Sequence, residues 1–443
     1  MSRIVLTGNP WIKNTLKSRW PQLAVFLVML VGYIFAIVAG LIGSPVGSRH
    51  FSIVFVWIAW WAVLILVAVP FFGRGWCAVC PIPLPGEWLQ RGAVQTPPNK
   101  KPRWLNKRWP RALRNIWLQN ISFLLLALFS SVLLTTPNIT GVVLASMLFA
   151  AIGLSIGFER RSFCRYLCPV GGFIGLYSQT APVEVRIKDK QVCATCAGKP
   201  CYNGSAAGYG CPWDVFPGGL VKNTYCGLCM ECIRTCPHDN IAVNLRPFSA
   251  DLAKPSARMD EAFKAFIMLG SAMIYAGVLL GPWGILKDAA YNVGSNAWFL
   301  YAAVFLAILF VLMPGLFALC VTRFENIDTF KKRFAALSTA LIPLGLMFWV
   351  AFSLSFVLTN ASYVLASLSD PLGLGWNLLG TADAAWQPML TSLLAPGQTL
   401  ALVGGLIWSA RTGQKAANEA KVSAVPVILY CFVATLVMLW LLL

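Results

Sequence analysis

Cys226-Gly-Leu-Cys229-Met-Glu-Cys232-Ile-Arg-Thr-Cys236-Pro237 is an unbroken C-x2-C-x2-C-x3-C-P run. In such a loop three closely spaced thiolates take three irons of one cubane. The fourth, set apart and followed by proline, takes an iron of a second cluster. The run therefore demands a partner, and one lies upstream: Cys193-Ala-Thr-Cys196-Ala-Gly-Lys-Pro-Cys201, then Cys211-Pro212 beyond a glycine-rich stretch at 203–210 that reads as slack between ligands. The second and third gaps of this half are longer than in the bacterial pattern, so it carries an insertion. The exchange of fourth ligands assigns Cys226, Cys229, Cys232 and Cys211 to one [4Fe-4S] cluster, and Cys193, Cys196, Cys201 and Cys236 to the other. Structural zinc is the rival, because C-x2-C pairs also build tetrahedral S4 sites, but zinc loops need neither the third close cysteine nor the Cys-Pro ending.

The rest of the chain is apolar. It is 58% hydrophobic with 12% charged residues, where an ordinary soluble domain has about 25%. Stretches near the roughly 20-residue spanning length fall at 22–42, 51–72, 116–136, 139–157, 263–283, 297–320, 335–358, 388–410 and 424–443. The expected fold is an all-α polytopic membrane protein of about nine transmembrane helices with an inserted cytoplasmic two-cluster ferredoxin-like α+β domain. It divides into a cytoplasmic N-terminus (1–21), a four-helix membrane repeat (22–157), the iron–sulfur domain (158–261) and a five-helix C-terminal membrane domain (262–443).

The net charge of +19 raises the question of nucleic acid, and its distribution answers it. With the N-terminus inside, the segments 1–21, 73–115, 158–264, 321–334 and 411–423 hold 33 of the 35 Lys and Arg, leaving Arg49 and Lys287 outside. That is the positive-inside rule, and no other phase of nine spans reproduces it. The basic excess is topological, with a share for anionic lipid headgroups at Lys100, Lys101, Arg103, Lys107, Arg108, Arg111 and Arg114; no nucleic-acid partner is expected. This places the chain in a bacterial cytoplasmic (inner) membrane, multi-pass, with the N-terminus and iron–sulfur domain cytoplasmic and the C-terminus outside. The twelve motif cysteines then face a reducing compartment, where clustered thiols mean metal or redox work more often than disulfides. Cys320 and Cys431, alone in apolar spans, read as packing residues. The first apolar stretch is too long for a signal-peptide core and reads as an uncleaved anchor.

The N-terminal half repeats. Arg74-Gly-Trp76-Cys77-Ala-Val-Cys80-Pro81 follows the second span, and Arg161-Ser-Phe163-Cys164-Arg-Tyr-Leu-Cys168-Pro169 follows the fourth. Two hairpins, 22–72 and 116–157, related by an axis along the membrane normal, would bring both cysteine pairs to one depth. Cys77, Cys80, Cys164 and Cys168 then read as a third iron–sulfur site, as a redox-dithiol site, or as helix-end structure.

These residues carry a family resemblance. A pair of membrane hairpins with Cys-Pro motifs, followed by a cytoplasmic two-cluster loop, resembles the membrane polyferredoxins that include the NapH, NosR and CcoG types. The likeness spans roughly residues 20–245. Both membrane motifs of that family are usually C-x3-C-P; Cys164 to Cys168 conforms, and Cys77 to Cys80 is one residue shorter. The chain lacks the extracytoplasmic flavin domain of the NosR type, and its five spans after residue 262 have no counterpart in the NapH type. The resemblance implies a branch of this family.

Absent residues narrow the chemistry. The two histidines, His50 and His238, fall on opposite sides of the membrane, so no bis-His haem fits inside the bundle, and no C-x-x-C-H attaches a c-type haem. His238, beside Cys236, reads as a loop residue tuning a cluster by hydrogen bonding, and His50 as a solvated interfacial residue. No phosphate-binding loop or dinucleotide fingerprint is present. The expected role is a subunit passing electrons between the cytoplasmic side or a quinone pool and an extracytoplasmic redox enzyme. The alternatives are a factor supplying electrons for metalloenzyme maturation and an iron–sulfur-coupled permease. The outer loop 359–387, with Ser367, Asp370, Pro371, Trp376, Asp383 and Trp386, reads as a quinone pocket, a partner dock or an aromatic interface belt.

Overall fold

The computed structural model describes residues 3–45, 47, 49–95, 97, 104–255, 258–280, 284–321 and 326–443. Lys100, Lys101 and Arg103 lie outside them. The chain forms two compact units, 1–35 with 68–119 and 143–251, and 36–67 with 120–142 and 252–443.

The first unit holds every motif cysteine. Its sheet is antiparallel, in the order β1 (Ile4–Val5), β3 (Ile241–Leu245), β2 (Val183–Ile187). Val183 pairs with Leu245 and Ile187 with Ile241, bracketing the cysteine-rich segment at its two ends. β1 was not foreseen: the N-terminal residues complete the sheet through Ile4 opposite Leu245. Helix α1 (Pro10–Lys17) starts where Asn9 accepts the Trp11 amide and proline occupies the first turn, both strong start signals. Lys13 then pairs with Asp239 at 2.6 Å. The core beneath is Val185, Leu228, Ile233, Ile241 and Val243. A buried ionic cluster closes one edge, where Arg186 meets Asp251 at 3.1 Å and Arg246 meets Glu184 at 3.0 Å.

Eight helices among the described residues are long and apolar enough to cross a membrane: α2 (Trp20–Ile42), α3 (Phe51–Phe72), α6 (Pro137–Gly157), α7 (Met259–Leu280), α8 (Asn296–Val321), α9 (Ile327–Asn360), α10 (Thr391–Glu419) and α11 (Val425–Leu442). The expected ninth, 116–136, differs. It is a short helix α4 (Trp117–Leu128), a break at Phe129, and one further turn α5 (Ser130–Leu133). Ser130, Ser131, Thr135 and Thr136 crowd this end, and such hydroxyls compete for backbone partners; the Thr135 hydroxyl donates to the Ser131 carbonyl at 2.8 Å. Pro137 then prevents continuation. A hydropathy window registers none of this.

Within the second unit, several polar side chains in the spans find partners on neighbouring helices, which matters in a hydrocarbon surrounding. Trp349 donates to the Met268 carbonyl at 2.9 Å and Gln398 to Ala351 at 2.9 Å. Trp61 donates to Ser353 at 2.9 Å and stacks edge-on against Trp349. These two tryptophans are packing residues, whereas Trp376 and Trp386 of the 359–387 loop are exposed. Asp370 orders that loop by accepting the Leu374 and Gly375 amides at 3.0 and 2.8 Å.

Candidate iron–sulfur centres

Each hairpin returns to its starting end, which brings the first and second halves of the motif together. The Gln22 side chain at the start of α2 donates to the Ala78 carbonyl at 2.8 Å. Gln119 at the start of α4 donates to the carbonyls of Cys164 and Arg165 at 3.0 and 2.9 Å. The Lys107 amide donates to Gly157 at 3.0 Å. α2 and α6 touch where the Tyr33 hydroxyl meets the Leu144 carbonyl at 2.8 Å.

As a result Cys77, Cys80, Cys164 and Cys168 share one buried neighbourhood. Burial raises all four thiols above their ordinary range, Cys168 to about 12. The negative charges of Cys77 and Cys168 oppose ionisation of Cys80, and those of Cys168, Cys80 and Cys77 oppose that of Cys164. Cys168 also caps the following helix, its sulfur accepting the Gly171 amide at 3.2 Å.

The cysteine-rich segment also brings its thiols near one another. Burial, and then the nearby charge of Cys211, raises Cys226 to about 11 and Cys229 to about 12, while burial raises Cys232, which also feels Cys226, Cys229, Cys211 and Cys201. Cys201 is raised to about 11 by burial, followed by the charges of Cys236, Cys193 and Cys196. Left-handed backbone at Leu228 and Met230 alternates with the cysteines of the 226–232 loop. Such residues cost about 1–3 kcal/mol each and persist where surroundings over-determine them. The glycine-rich stretch is tighter than slack: Ser205 and Gly208 exchange backbone hydrogen bonds at 2.9 and 3.1 Å, and Tyr209 lies under Arg91, 4.4 Å from ring to guanidinium.

Basic residues of the second hairpin motif bind the loop that carries Cys211. Arg160 donates to the Cys211 carbonyl at 2.7 Å, and Arg165 to the Trp213 carbonyl at 2.8 Å with an ion pair to Asp214 at 3.1 Å. Arg161 forms a two-pronged pair with Glu87, Nη2 to Oε2 at 2.9 Å, and donates to the Cys77 carbonyl at 2.7 Å. Burial alone would raise Glu87, but the charges of Arg161 and Arg91 outweigh it and hold the carboxyl below its ordinary range.

The hairpin quartet fits an iron–sulfur cluster on two counts. Four thiols, three buried and Cys80 partly so, are a soft donor set of the kind such clusters take. Arg74 is 4% exposed, and its Nε and Nη1 find no hydrogen-bond partner among the described residues. A buried cation left so is costly, and an anionic cluster would complete it.

Two assignments change. His238 is exposed, and Asn240 instead serves the sulfurs, its amide donating to Cys236 at 3.3 Å and its side chain to Cys193 at 3.2 Å. His50, expected in solvent, is 1% exposed. Its Nδ1 accepts the Ser52 amide, capping α3, and Gly43 packs against its Nε2. Asn240 had a weak signal in its place four residues beyond Cys236; nothing in the sequence marked Arg74 as a buried cation with two unsatisfied nitrogens.

Two stretches, 53–112 and 140–186, match the family model described as a 4Fe-4S binding domain. They lie on the two hairpins with Cys77 and Cys80 in one and Cys164 and Cys168 in the other, and together cover less than half of the chain. Over 140 residues the chain is 32% identical to a protein of Escherichia coli (strain K12) named "Putative electron transport protein YccM". The aligned part is 28% of this chain and 34% of that protein, so the chain spans about a third of the length of that curated relative. No solved structure matches.

Proposed function

We propose that this chain is an integral-membrane iron–sulfur electron-transfer protein whose twelve motif cysteines hold three [4Fe-4S] clusters. Cys211, Cys226, Cys229 and Cys232 would hold one, Cys193, Cys196, Cys201 and Cys236 a second, and Cys77, Cys80, Cys164 and Cys168 a third. Such clusters supply one-electron transfer and no bond chemistry. The observation that carries the reading is the gathering of twelve motif cysteines in one compact unit, where Cys77 and Cys80 of one hairpin stand close enough to Cys164 and Cys168 of the other for their charges to oppose ionisation. The sheet bracketing the last two quartets supports a ferredoxin-like α+β arrangement there. The protein's own residues supply burial, counter-charge at Arg74 and Arg161, and sulfur hydrogen bonds from Asn240 and Gly171.

The partners follow from chemistry. A chain with no dinucleotide or phosphate fingerprint must exchange electrons with other molecules, and a membrane quinone and an extracytoplasmic redox enzyme fit a conduit set in a bilayer. The asymmetry of the basic residues supports a cytoplasmic N-terminus and cytoplasmic cysteines in a bacterial inner membrane. That orientation requires 117–133 to cross. At about 1.5 Å per residue the stretch reaches about 25 Å, close to the roughly 30 Å hydrocarbon core, and the meeting of the chain before α4 with the chain after α6 supports a closed hairpin. The reading thus describes a branch of the NapH-, NosR- and CcoG-like polyferredoxins.

Anaerobic purification with iron, sulfide and EPR analysis tests this. About twelve irons per chain are expected, at four per cluster. About eight would remove the hairpin cluster, and fewer would sink the reading. Reduction of the EPR-active centres by a quinol analogue tests the proposed donor.

A further inference from the structure

Trp213 follows Cys211 by two residues and is 2% exposed. Two guanidiniums approach its ring, Arg74 at 4.7 Å and Arg161 at 5.8 Å from the centroid. These are the corresponding arginines of the two hairpin motifs, so the repeat converges on a single indole. Two glycines make room. A Cβ at Gly227, between Cys226 and Cys229, would stand 1.9 Å from the indole Nε1, and one at Gly175 would stand 2.2 Å from Nη2 of Arg74.

The arginines face both ways. The Arg74 carbonyl accepts the Cys77 amide at 2.9 Å, while its guanidinium lies over the indole that Gly227, between Cys226 and Cys229, packs against. Arg161 donates to the Cys77 carbonyl at 2.7 Å and faces the same indole. Their balances differ: Glu87 neutralises Arg161, while no carboxylate pairs with Arg74 among the described residues.

We propose that the Arg74–Trp213–Arg161 stack is a positioning and charge-balancing bridge between the Cys77/Cys80/Cys164/Cys168 quartet and the Cys211/Cys226/Cys229/Cys232 quartet, Arg74 being the counter-ion that both anionic centres share. This rests on the three-cluster reading. Net charge and hydrogen bonds to sulfur are the protein's levers on cluster potential. A buried cation facing two anionic centres favours their reduced, more negative states and raises both potentials together. The indole fills the gap with a polarisable ring, excludes water from it, and holds the Cys226–Cys229 loop at the hairpin ends.

The test is an EPR-monitored redox titration, with iron analysis, of the full-length protein carrying Arg74→Gln, Arg74→Lys or Trp213→Leu. Arg74→Gln should keep its iron and shift two of the three centres to lower potential, leaving the Cys193 quartet unmoved, and Arg74→Lys should reverse most of the shift. Trp213→Leu should slow electron equilibration between the two centres at least tenfold after rapid partial reduction. Loss of iron in Arg74→Gln that Arg74→Lys restores also supports the role of charge; loss that it does not restore overturns it. Full iron with unmoved potentials in Arg74→Gln overturns this inference alone. About eight irons in the unaltered protein, with the hairpin thiols free to alkylate, overturns the three-cluster reading and this inference with it.

Discussion

Glu87 and Arg161 form a buried two-pronged ion pair, Oε2 to Nη2 at 2.9 Å, although 74 residues separate them in the chain. The same guanidinium reaches the Cys77 carbonyl at 2.7 Å. One side chain of the second hairpin motif thereby holds the end of the first, and its charge beside the thiols is tolerable because Glu87 cancels it.

Removing that cancellation should be severe. Breaking one side of a buried pair leaves an uncompensated charge and costs about 3–5 kcal/mol. Glu87→Gln is expected to lose stability on this scale in thermal unfolding of the detergent-solubilised protein, and Glu87→Asp to lose less. Equal stability of Glu87→Gln and the unaltered protein would show that the pair holds nothing together.

Asn240 should tune one centre alone. Hydrogen bonds to ligating sulfur raise a cluster's potential, and its side chain donates to Cys193 at 3.2 Å. Asn240→Leu is expected to lower the potential of the Cys193/Cys196/Cys201/Cys236 centre and leave the others in place, read by EPR titration. Substituting the exposed His238 with Ala should move none of them.

His50 predicts a pH dependence in the loop it packs against. Burial lowers its pKa, with Asp370 pulling weakly the other way. The opened loop therefore takes up a proton first, near the ordinary value of about 6.5, and the closed state loses stability as pH falls below it. Above that pH the contribution is complete. The amides of Ser44 and Phe51, which donate to Leu372 and Pro371 at 2.8 and 3.3 Å, should show falling hydrogen-exchange protection between about pH 6.5 and 5. His50→Asn, able to cap α3 without titrating, should abolish that dependence.

The broken segment α4–α5 makes a topological prediction. A reporter active only outside the cytoplasm should work when fused after Thr136 and fail when fused after Glu159. Matching activities at the two points would mean that 117–133 does not cross.

Much of this was legible because it is local. Spacing within a short loop constrains sulfur atoms directly, so the closeness of the thiols between Cys193 and Cys236 could be expected from gaps in the chain. Apolar length marked eight spans for the same reason. For the ninth it gave the apolar stretch but not its interruption, since hydropathy counts side chains and does not weigh hydroxyl competition at Ser130 or the break at Phe129.

The sequence by itself determined where the soft sulfur donors stand, at ligand spacing, in a chain whose apolar helices are long enough to cross a bilayer. Only the tertiary structure decided how distant parts meet. It placed Cys77 and Cys80 beside Cys164 and Cys168, laid the N-terminal strand on the sheet, buried His50, and stacked Arg74 and Arg161 on Trp213. The physical reason is that composition and periodicity report on neighbours in the chain. Pairing a buried charge, or closing a site from two hairpins, depends on which surfaces come together when apolar helices pack.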